Sequence, residues 1–158
     1  VFIGPCTAKK TEFQQEDIKP YVDCVITFEE LQGMFDAKGI DLSKVEPAEP
    51  LNDATGAGRG YGVAGGVASA IEECIKEYYP DTEIHIEHAE SLSECKKILM
   101  LAKAGKKNGC LIEGMACQGG CIGGAGCLTH GEKNKSEVDK YGKEALEKNI
   151  SDAVSVLK

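Results

Sequence analysis

The chain has 158 residues, of which 42% are apolar and 28% charged, a composition that argues against a disordered or fibrous protein and favours one compact globular domain. Its formal net charge of -8 argues against nucleic acid or an anionic membrane as a partner. The sequence shows no apolar run long enough to span a bilayer and no leader-like start, so a soluble, cytoplasmic protein is expected.

The first part of the chain predicts two strands, a helix and a long loop. Val1–Pro5 is apolar, and Cys24–Phe28 is β-branched and bounded by polar sequence, so both segments predict strands. Thr27 and the glutamates after it are typical of an N-cap with a capping box, and the helix they begin is predicted to end at Gly39. Residues 47–66 are rich in glycine and proline, which indicates loop and closely packed backbone.

The second part of the chain continues the alternation. Val67–Tyr79 has helical periodicity, Glu83–His88 alternates polar and apolar residues like a strand, and Ser91–Ala104 predicts a helix with one apolar face. Gly109–Gly114 predicts a fourth strand. Lys133–Lys158 is Lys/Glu-rich with one apolar stripe, which predicts a single helix on the outside of the domain.

Strands that alternate with helices predict an α/β fold with a mostly parallel sheet of about four strands flanked by helices. In such sheets the chemistry gathers at the carboxyl ends of the strands. Cys6 directly follows the first predicted strand, and Cys117 follows the fourth. The two cysteines are therefore expected at one edge of a common sheet.

The eight cysteines are more plausible as metal ligands and core residues than as disulfides, because a reducing compartment is expected. Cys117 and Cys121 are four apart in a glycine-rich segment, Glu113–Leu128. Thiolates at this spacing, on a turn that enters a helix, point the same way, and glycines let backbone amides approach the sulfides of an iron-sulfur cluster. Two buried structural thiols are the simpler alternative.

Two thiolates do not complete a four-thiolate cluster, so a distant ligand is required. Cys6 is the natural candidate and Cys127 the next, whereas Cys24, Cys74, Cys95 and Cys110 lie in strand or helix patterns and are expected in the core. Structural zinc is less favoured because it commonly uses two close pairs of ligands. His85 and His88 would point to opposite faces of a strand, and the glycine run at 56–66 lacks the ending of a phosphate loop.

Two segments together resemble the second and third motifs of iron-only (FeFe) hydrogenases. They are Pro-Cys-Thr-Ala-Lys-Lys-Thr-Glu at 5–12 and Glu-Gly-Met-Ala-Cys-Gln-Gly-Gly-Cys at 113–121. Residues 23–31 and 61–67 resemble the same family in the same order. The resemblance assigns residues 1–128 to one lobe of the H-cluster domain and leaves 129–158 as a C-terminal helix packed on it.

The resemblance implies an H-cluster, a 4Fe-4S cube joined through a cysteine to a diiron unit with CO, cyanide and a dithiolate bridge. Cys6 and Cys117 would bind the cube, and Cys121 would bridge it to the diiron unit. Lys9 would hydrogen-bond a cyanide, Glu12 would support Lys9, and Met115 would line the diiron pocket. The implied reaction is the interconversion of dihydrogen with protons and electrons, with ferredoxin or an in-chain iron-sulfur relay as electron partner.

The sequence also departs from the family pattern. The first motif, which supplies the fourth cube ligand and a proton-delivering cysteine, has no counterpart here, and we expect it before Val1, in a longer protein. By itself the chain is expected to be inactive. Gly4 stands where the common enzymes have Met, and residues 124–128 replace their Gly-Gly-Gly-Gln-Pro ending. These changes resemble a sensory branch of the family, so a hydrogen- or redox-sensing module and a cluster-binding relative without hydrogen chemistry stay open as alternatives.

Overall fold

The computed structural model describes residues 1–48 and 54–155. By their contacts, the described residues fall into two compact units, one drawn from residues 1–50 and 123–130 and the other from residues 51–122 and 131–158. Both units combine helices with parallel strands, so the α/β class is confirmed. None of the described helices combines the length and apolar character needed to cross a membrane.

The first unit is built around one short strand pair. β1 (Phe2–Ile3) and β2 (Val25–Ile26) are parallel, with Phe2 opposite Val25, and the short helix α1 (Lys9–Glu12) lies between them in sequence. Helix α2 (Phe28–Lys38) follows β2 directly, and a 3-10 turn at Leu42–Lys44 comes after it. The strand, strand and helix predicted from the sequence are all present.

The start and the end of α2 confirm the local sequence signals. The Thr27 hydroxyl accepts the Glu30 N–H, and the Glu30 carboxylate accepts the Thr27 N–H, which completes a capping box. Gly39 ends the helix at φ 65, a left-handed conformation that glycine adopts without steric cost. The pKa of Glu30 lies below its usual value, because the Lys10 ammonium and the Thr27 N–H both stabilise the ionised carboxylate.

The second unit contains the longer elements. They are α3 (Gly56–Arg59), α4 (Gly66–Tyr78), β3 (His85–Glu90), α5 (Leu92–Lys103) and β4 (Cys110–Met115). β3 and β4 are parallel over six residues, and α5 makes the crossover that a parallel pair requires. The helix, strand, helix and strand predicted from Val67 onwards are confirmed, whereas α3 forms inside the segment predicted as loop. Thr55 begins α3 by accepting the Gly58 N–H; residues 49–53 of that predicted loop lie outside the described residues.

The four strands form two separate two-stranded sheets among the described residues. The prediction of one sheet of about four strands is wrong on this point, because hydrophobic periodicity identifies a strand without identifying its neighbour. Cys6 follows β1 and Cys117 follows β4, so the expected common sheet edge does not exist. The pairing of Cys6 with the other two cysteines stays a prediction from the family motifs.

The C-terminal segment forms two helices rather than the single helix predicted over Lys133–Lys158. α6 spans Glu132–Lys143 and α7 spans Ile150–Ala153; residues 156–158 lie outside the described residues. The Glu77 carboxylate of α4 accepts the N–H groups of Ile150 and Ser151, which caps the start of α7. Ser151 and the Ile150 N–H hold the pKa of Glu77 below its usual value.

Candidate cluster-binding site

Cys117 and Cys121 lie on one tight turn in the second unit, which we call the cysteine turn (residues 117–121). The turn follows the end of β4, and Cys121 begins a 3-10 turn, Cys121–Gly123. Gly119 and Gly120 have φ values of 79 and 88, and the Gly120 N–H donates to the Cys117 carbonyl at 3.1 Å. Cys117 is half-buried and Cys121 is exposed. The turn thus carries two thiols, and a backbone hydrogen bond from Gly120 to Cys117 closes it.

The glycine-rich loop before α4 packs against the backbone of the cysteine turn. Gly120 forms an antiparallel bridge with Val63, and the Ala64 N–H donates to the Gly119 carbonyl at 3.0 Å. A Cβ at Gly120 would lie 2.7 Å from the Gly62 carbonyl oxygen, closer than carbon and oxygen can approach. The close packing expected of the glycine run is therefore present, and its partner is the backbone of the cysteine turn.

The end of β3 contacts the same turn. The Glu90 carboxylate accepts the Gly119 N–H at 2.9 Å, and the Ser91 N–H donates to the Met115 carbonyl at 2.8 Å. Ser91 has φ 121 and ψ 155, and it is the one non-glycine residue with a positive φ in the described part of the chain. Met115, at the end of β4, is half-buried next to this contact. Sequence reasoning gave no role to Glu90 or Ser91.

Glu113 is a second carboxylate that sequence reasoning missed. It is 7% exposed on β4 and accepts the N–H groups of Val67 and Ala68 at the start of α4, at 3.0 and 3.1 Å. The Gly65 N–H and His88 Nδ1 complete its partners. Burial raises the pKa of Glu113, but the hydrogen bonds outweigh burial and hold the pKa below its usual value. A carboxylate inside an otherwise apolar strand is the signal that could have pointed to it.

The first unit holds the other predicted site residues. Cys6 is half-buried after β1, and α1 carries Lys9 and Glu12, whose Nζ and Oε2 atoms are 2.6 Å apart. The two side chains of this ion pair are 41% and 43% exposed, and the role that the resemblance implies for Glu12 stays a prediction. The Gly126 N–H donates to the Pro5 carbonyl at 2.9 Å. The end of the glycine-rich segment therefore lies beside the Pro5-Cys6 motif within this unit.

The four cysteines predicted for the core are less buried than expected, and both histidines of β3 are exposed. All eight cysteines are thiols, and Cys24, Cys74, Cys95 and Cys110 are half-buried, while Cys127 is buried. The Cys95 thiol lies 3.7 Å from the Met115 carbonyl, a weak contact that helps to pack α5 on β4. His88 contacts Glu113, whereas His85 is exposed at the start of β3.

The ligand chemistry of the cysteine turn fits an iron-sulfur cluster. Thiolates are the usual ligands of such clusters, and a turn packed on backbone leaves no room for a side chain at Gly120. In the part of the chain that the structure describes, no group of three or more His, Cys, Asp or Glu side chains is arranged to hold a metal ion. The second unit brings together Cys117, Cys121 and Met115, and the first unit brings together Cys6, Lys9 and Glu12.

Comparison with known families identifies the class of protein to which this α/β chain with its cysteine turn belongs. The family model described as "Iron only hydrogenase large subunit, C-terminal domain" matches residues 1–125. The chain belongs to this family, and the resemblance of its motifs is confirmed.

Individual relatives agree with this assignment. The chain is 31% identical over 166 residues to the NADP-reducing hydrogenase subunit HndD of Solidesulfovibrio fructosivorans, covering 82% of this chain and 28% of that protein. It is 27% identical over 172 residues to iron hydrogenase 1 of Clostridium pasteurianum, covering 88% of this chain and 30% of that protein. The chain thus spans under a third of the length of these two relatives.

Solved structures of FeFe-hydrogenases share the fold. A variant of the FeFe-hydrogenase HydA1 from Chlamydomonas reinhardtii aligns with a TM-score of 0.57 and 21% identity, over 94% of this chain and 53% of that one. A second FeFe-hydrogenase structure concerns oxygen inactivation, which begins with modification and degradation of the 2Fe subcluster of the H cluster. It aligns with a TM-score of 0.62 and 20% identity, over 98% of this chain and 56% of that one. At these identities the likeness shows the fold alone.

Proposed function

We propose that this chain carries most of an H-cluster site and, within an intact FeFe hydrogenase, takes part in interconverting dihydrogen with protons and electrons. The cysteine turn supports this most directly, because its two thiols and its glycine backing match the cluster-binding motif of the family. The fourth cube ligand and the proton-delivering cysteine belong to the family's first motif, which has no counterpart in these 158 residues. Without that motif, turnover by the chain alone is not expected.

The site residues have distinct proposed roles. Cys6 and Cys117 would hold the 4Fe-4S cube, Cys121 would join it to the diiron unit, and Met115 would line the diiron pocket. A bound cluster would supply the redox chemistry that interconverts two protons and two electrons with dihydrogen. The protein's part is to present the thiolates to the cluster on a backbone held by hydrogen bonds.

Lys9 and Glu12 act as a pair in this proposal. The Lys9 ammonium would hydrogen-bond a cyanide of the diiron unit, and Glu12 holds the ammonium from one helical turn away. Both side chains are substantially exposed in this structure, so the ion pair by itself contributes little to stability. Its value lies in presenting a positive charge to an anionic cofactor.

Electrons would come from ferredoxin or from an in-chain iron-sulfur relay, and a cytoplasmic setting is proposed. The net charge of -8 makes nucleic acid and anionic membranes unsuitable partners. Dihydrogen and protons are the proposed substrates.

A sensing module of the same family is the second candidate, and Gly4 favours it. Gly4 is buried, and a Cβ there would lie 2.7 Å from Cε1 of the Phe2 ring. A Met at this position would therefore require the exposed Phe2 ring to move. Glycine in place of Met at position 4 is expected to slow turnover while leaving the cluster ligands in place.

Maturation of the full-length protein that contains this chain, in a host with the hydrogenase maturation enzymes, tests the proposal. Infrared bands of bound CO and cyanide are expected, and their absence would sink the H-cluster assignment. Rapid hydrogen evolution would favour the enzyme, whereas intact bands with very slow turnover would favour the sensor.

The bridging role of Cys121 has its own test. Cys121→Ala is expected to lose the infrared bands while iron and sulfide of the cube are retained in part. Cys74→Ala, a half-buried thiol on α4, serves as the matched control and should keep the bands. Bands of normal intensity in Cys121→Ala would contradict the bridge.

A further inference from the structure

The end of β3 is joined to the cysteine turn by a carboxylate that no part of the proposed function uses. Glu90 is the last residue of β3 and lies opposite Met115 in the parallel register. Its half-buried carboxylate accepts the N–H of Gly119, which sits between Cys117 and Cys121 in sequence. Glu90 therefore contacts the backbone at the middle of the turn, between the two cysteines.

The backbone next to Glu90 is held in a rare conformation. The φ and ψ of Ser91, 121 and 155, fall in a region that is essentially restricted to glycine and is strained for other residues. Such strain persists only where the surroundings fix it. The Ser91 N–H donates to the Met115 carbonyl, and the Ser91 hydroxyl caps α5 by accepting the Glu94 N–H at 3.3 Å.

Glu94 adds a further hydrogen bond to the backbone where β3 meets α5. Its carboxylate accepts the N–H of Glu90 at 2.9 Å. The backbone of residues 90 and 91 is thus tied both to α5 and to the end of β4. The direction in which the Glu90 side chain leaves the strand, toward the Gly119 N–H, follows from this fixed backbone.

We propose that Glu90 is a positioning residue for the cysteine turn, which sets the geometry of the Cys117 and Cys121 thiolates and the charge beside them. The inference rests on the proposed function, since it assumes that the turn holds a cluster. An N–H that donates to Glu90 is not available to a cluster sulfide, and a carboxylate near an anionic cluster disfavours its reduction. Both effects lower the reduction potential of the cluster relative to that of a cluster bound to a turn without Glu90.

Three variants separate the positioning role of Glu90 from the effect of its negative charge. Glu90→Gln keeps an oxygen that accepts the Gly119 N–H but removes the negative charge. Glu90→Ala removes both. Glu83→Gln, at an exposed position just before β3, removes one charge away from the turn and is the matched control.

The first measurement needs no cluster. Amide hydrogen exchange of Gly119, measured by NMR in the chain as purified, is expected to accelerate about tenfold or more in Glu90→Ala, the loss expected for a hydrogen bond to a charged acceptor. Glu90→Gln should accelerate it much less, and Glu83→Gln not at all. Exchange in Glu90→Ala no faster than in Glu83→Gln would overturn the positioning role. Exchange at the β3–β4 ladder reports whether each variant is folded.

The second measurement uses the intact, cluster-loaded protein. Its midpoint potential, followed by electron paramagnetic resonance, is expected to shift positive in both Glu90→Gln and Glu90→Ala and to stay unchanged in Glu83→Gln. A potential of Glu90→Gln equal to that of the wild type would overturn the effect on charge. If neither the wild type nor any variant takes up a cluster, the proposed function fails. Amide exchange of Gly119 still decides in that case whether Glu90 positions the turn.

Discussion

Glu113 ties three elements together through one buried carboxylate, and this gives the stability of the second unit a defined pH dependence. Because hydrogen bonds from α4 hold its pKa below the usual value of 4.5, the folded chain keeps this group ionised to lower pH than the unfolded chain does. The stabilisation is fully present above about pH 4.5 and is lost as pH falls through the folded pKa.

Glu113→Gln is expected to lower the free energy of unfolding at pH 7 by about 1.5–3 kcal/mol, the usual contribution of hydrogen bonds to a charged group. Since the wild type loses this contribution on acidification, the difference between the two proteins should shrink below pH 4.5. Urea unfolding between pH 7 and pH 3 measures it, with Glu83→Gln as a control for charge alone. A difference that stays constant across this range would contradict the assignment.

At the scale of single residues, sequence reasoning found the thiols but missed the carboxylates around them. Cys117 and Cys121 are visible because their spacing and glycines are local. Glu113 and Glu90 act on residues that are far away in sequence, at Ala68 and Gly119, so a local pattern does not identify their partners, even where a carboxylate in an apolar strand marks Glu113 as unusual. Their roles depend on the register of β3 against β4, which the sequence does not state.

At the scale of elements, the cysteine turn depends on a single glycine. Gly120→Ala combines a positive φ with a clash against the Gly62 carbonyl, so the turn must move or open. Gly109→Ala is the matched control, because Gly109 also has a positive φ, 77, but open space around it. Gly109→Ala is expected to cost about 1 kcal/mol and Gly120→Ala clearly more. Thermal unfolding measures both, and equal losses would show that the contact with the glycine loop is not restrictive.

Helix α2 offers a second test at the scale of elements. Thr27→Ala should destabilise the chain by about 1 kcal/mol through loss of the cap, and further through lost packing, since the site of a Cβ on Gly126 lies 2.7 Å from Thr27 Cβ. Thr27→Ser keeps the hydroxyl and should recover the capping part alone. Thr82→Ala, on an exposed loop, is the control. Chemical denaturation distinguishes them, and identical midpoints for Thr27→Ala and Thr82→Ala would refute the cap.

The elements themselves were largely predictable because their signals are local. Thr27 with Glu30 predicts the start of α2, and Ser91 lies at the predicted start of α5. The break between α6 and α7 was not predictable, because it depends on Glu77, more than seventy residues away in sequence, capping the start of α7. The apolar stripe of a continuous helix and that of two short helices look alike.

At the scale of the whole molecule, the two units differ in how much strand pairing they contain. β3 and β4 pair over six residues each and contact α4 and α5, whereas β1 and β2 pair over two. Amide exchange should therefore be slower along β4 than along β2 in the same sample, because opening the longer ladder breaks more contacts. Residue-resolved exchange monitored by NMR checks this, and comparable protection in the two strand pairs would contradict it.

The α/β class of the molecule followed from the alternation of strands and helices, but the partition of four strands into two sheets did not. A two-residue strand such as Phe2–Ile3 has too little pattern to indicate its partner. The family motifs carried information that the fold argument lacked. They relate Cys6 to Cys117 and Cys121 where sheet topology gives no reason to do so.

The exposure of Cys121 has a practical consequence for handling the protein. Of the eight thiols, all within the described residues, Cys121 alone is exposed, while Cys117 is half-buried and Cys127 is buried. An alkylating reagent added to the cluster-free chain should therefore mark Cys121 first, and mass spectrometry after proteolysis would read out the label. Loading with a cluster would block that label, so the fraction of this one peptide that stays unlabelled would measure site occupancy in crude preparations.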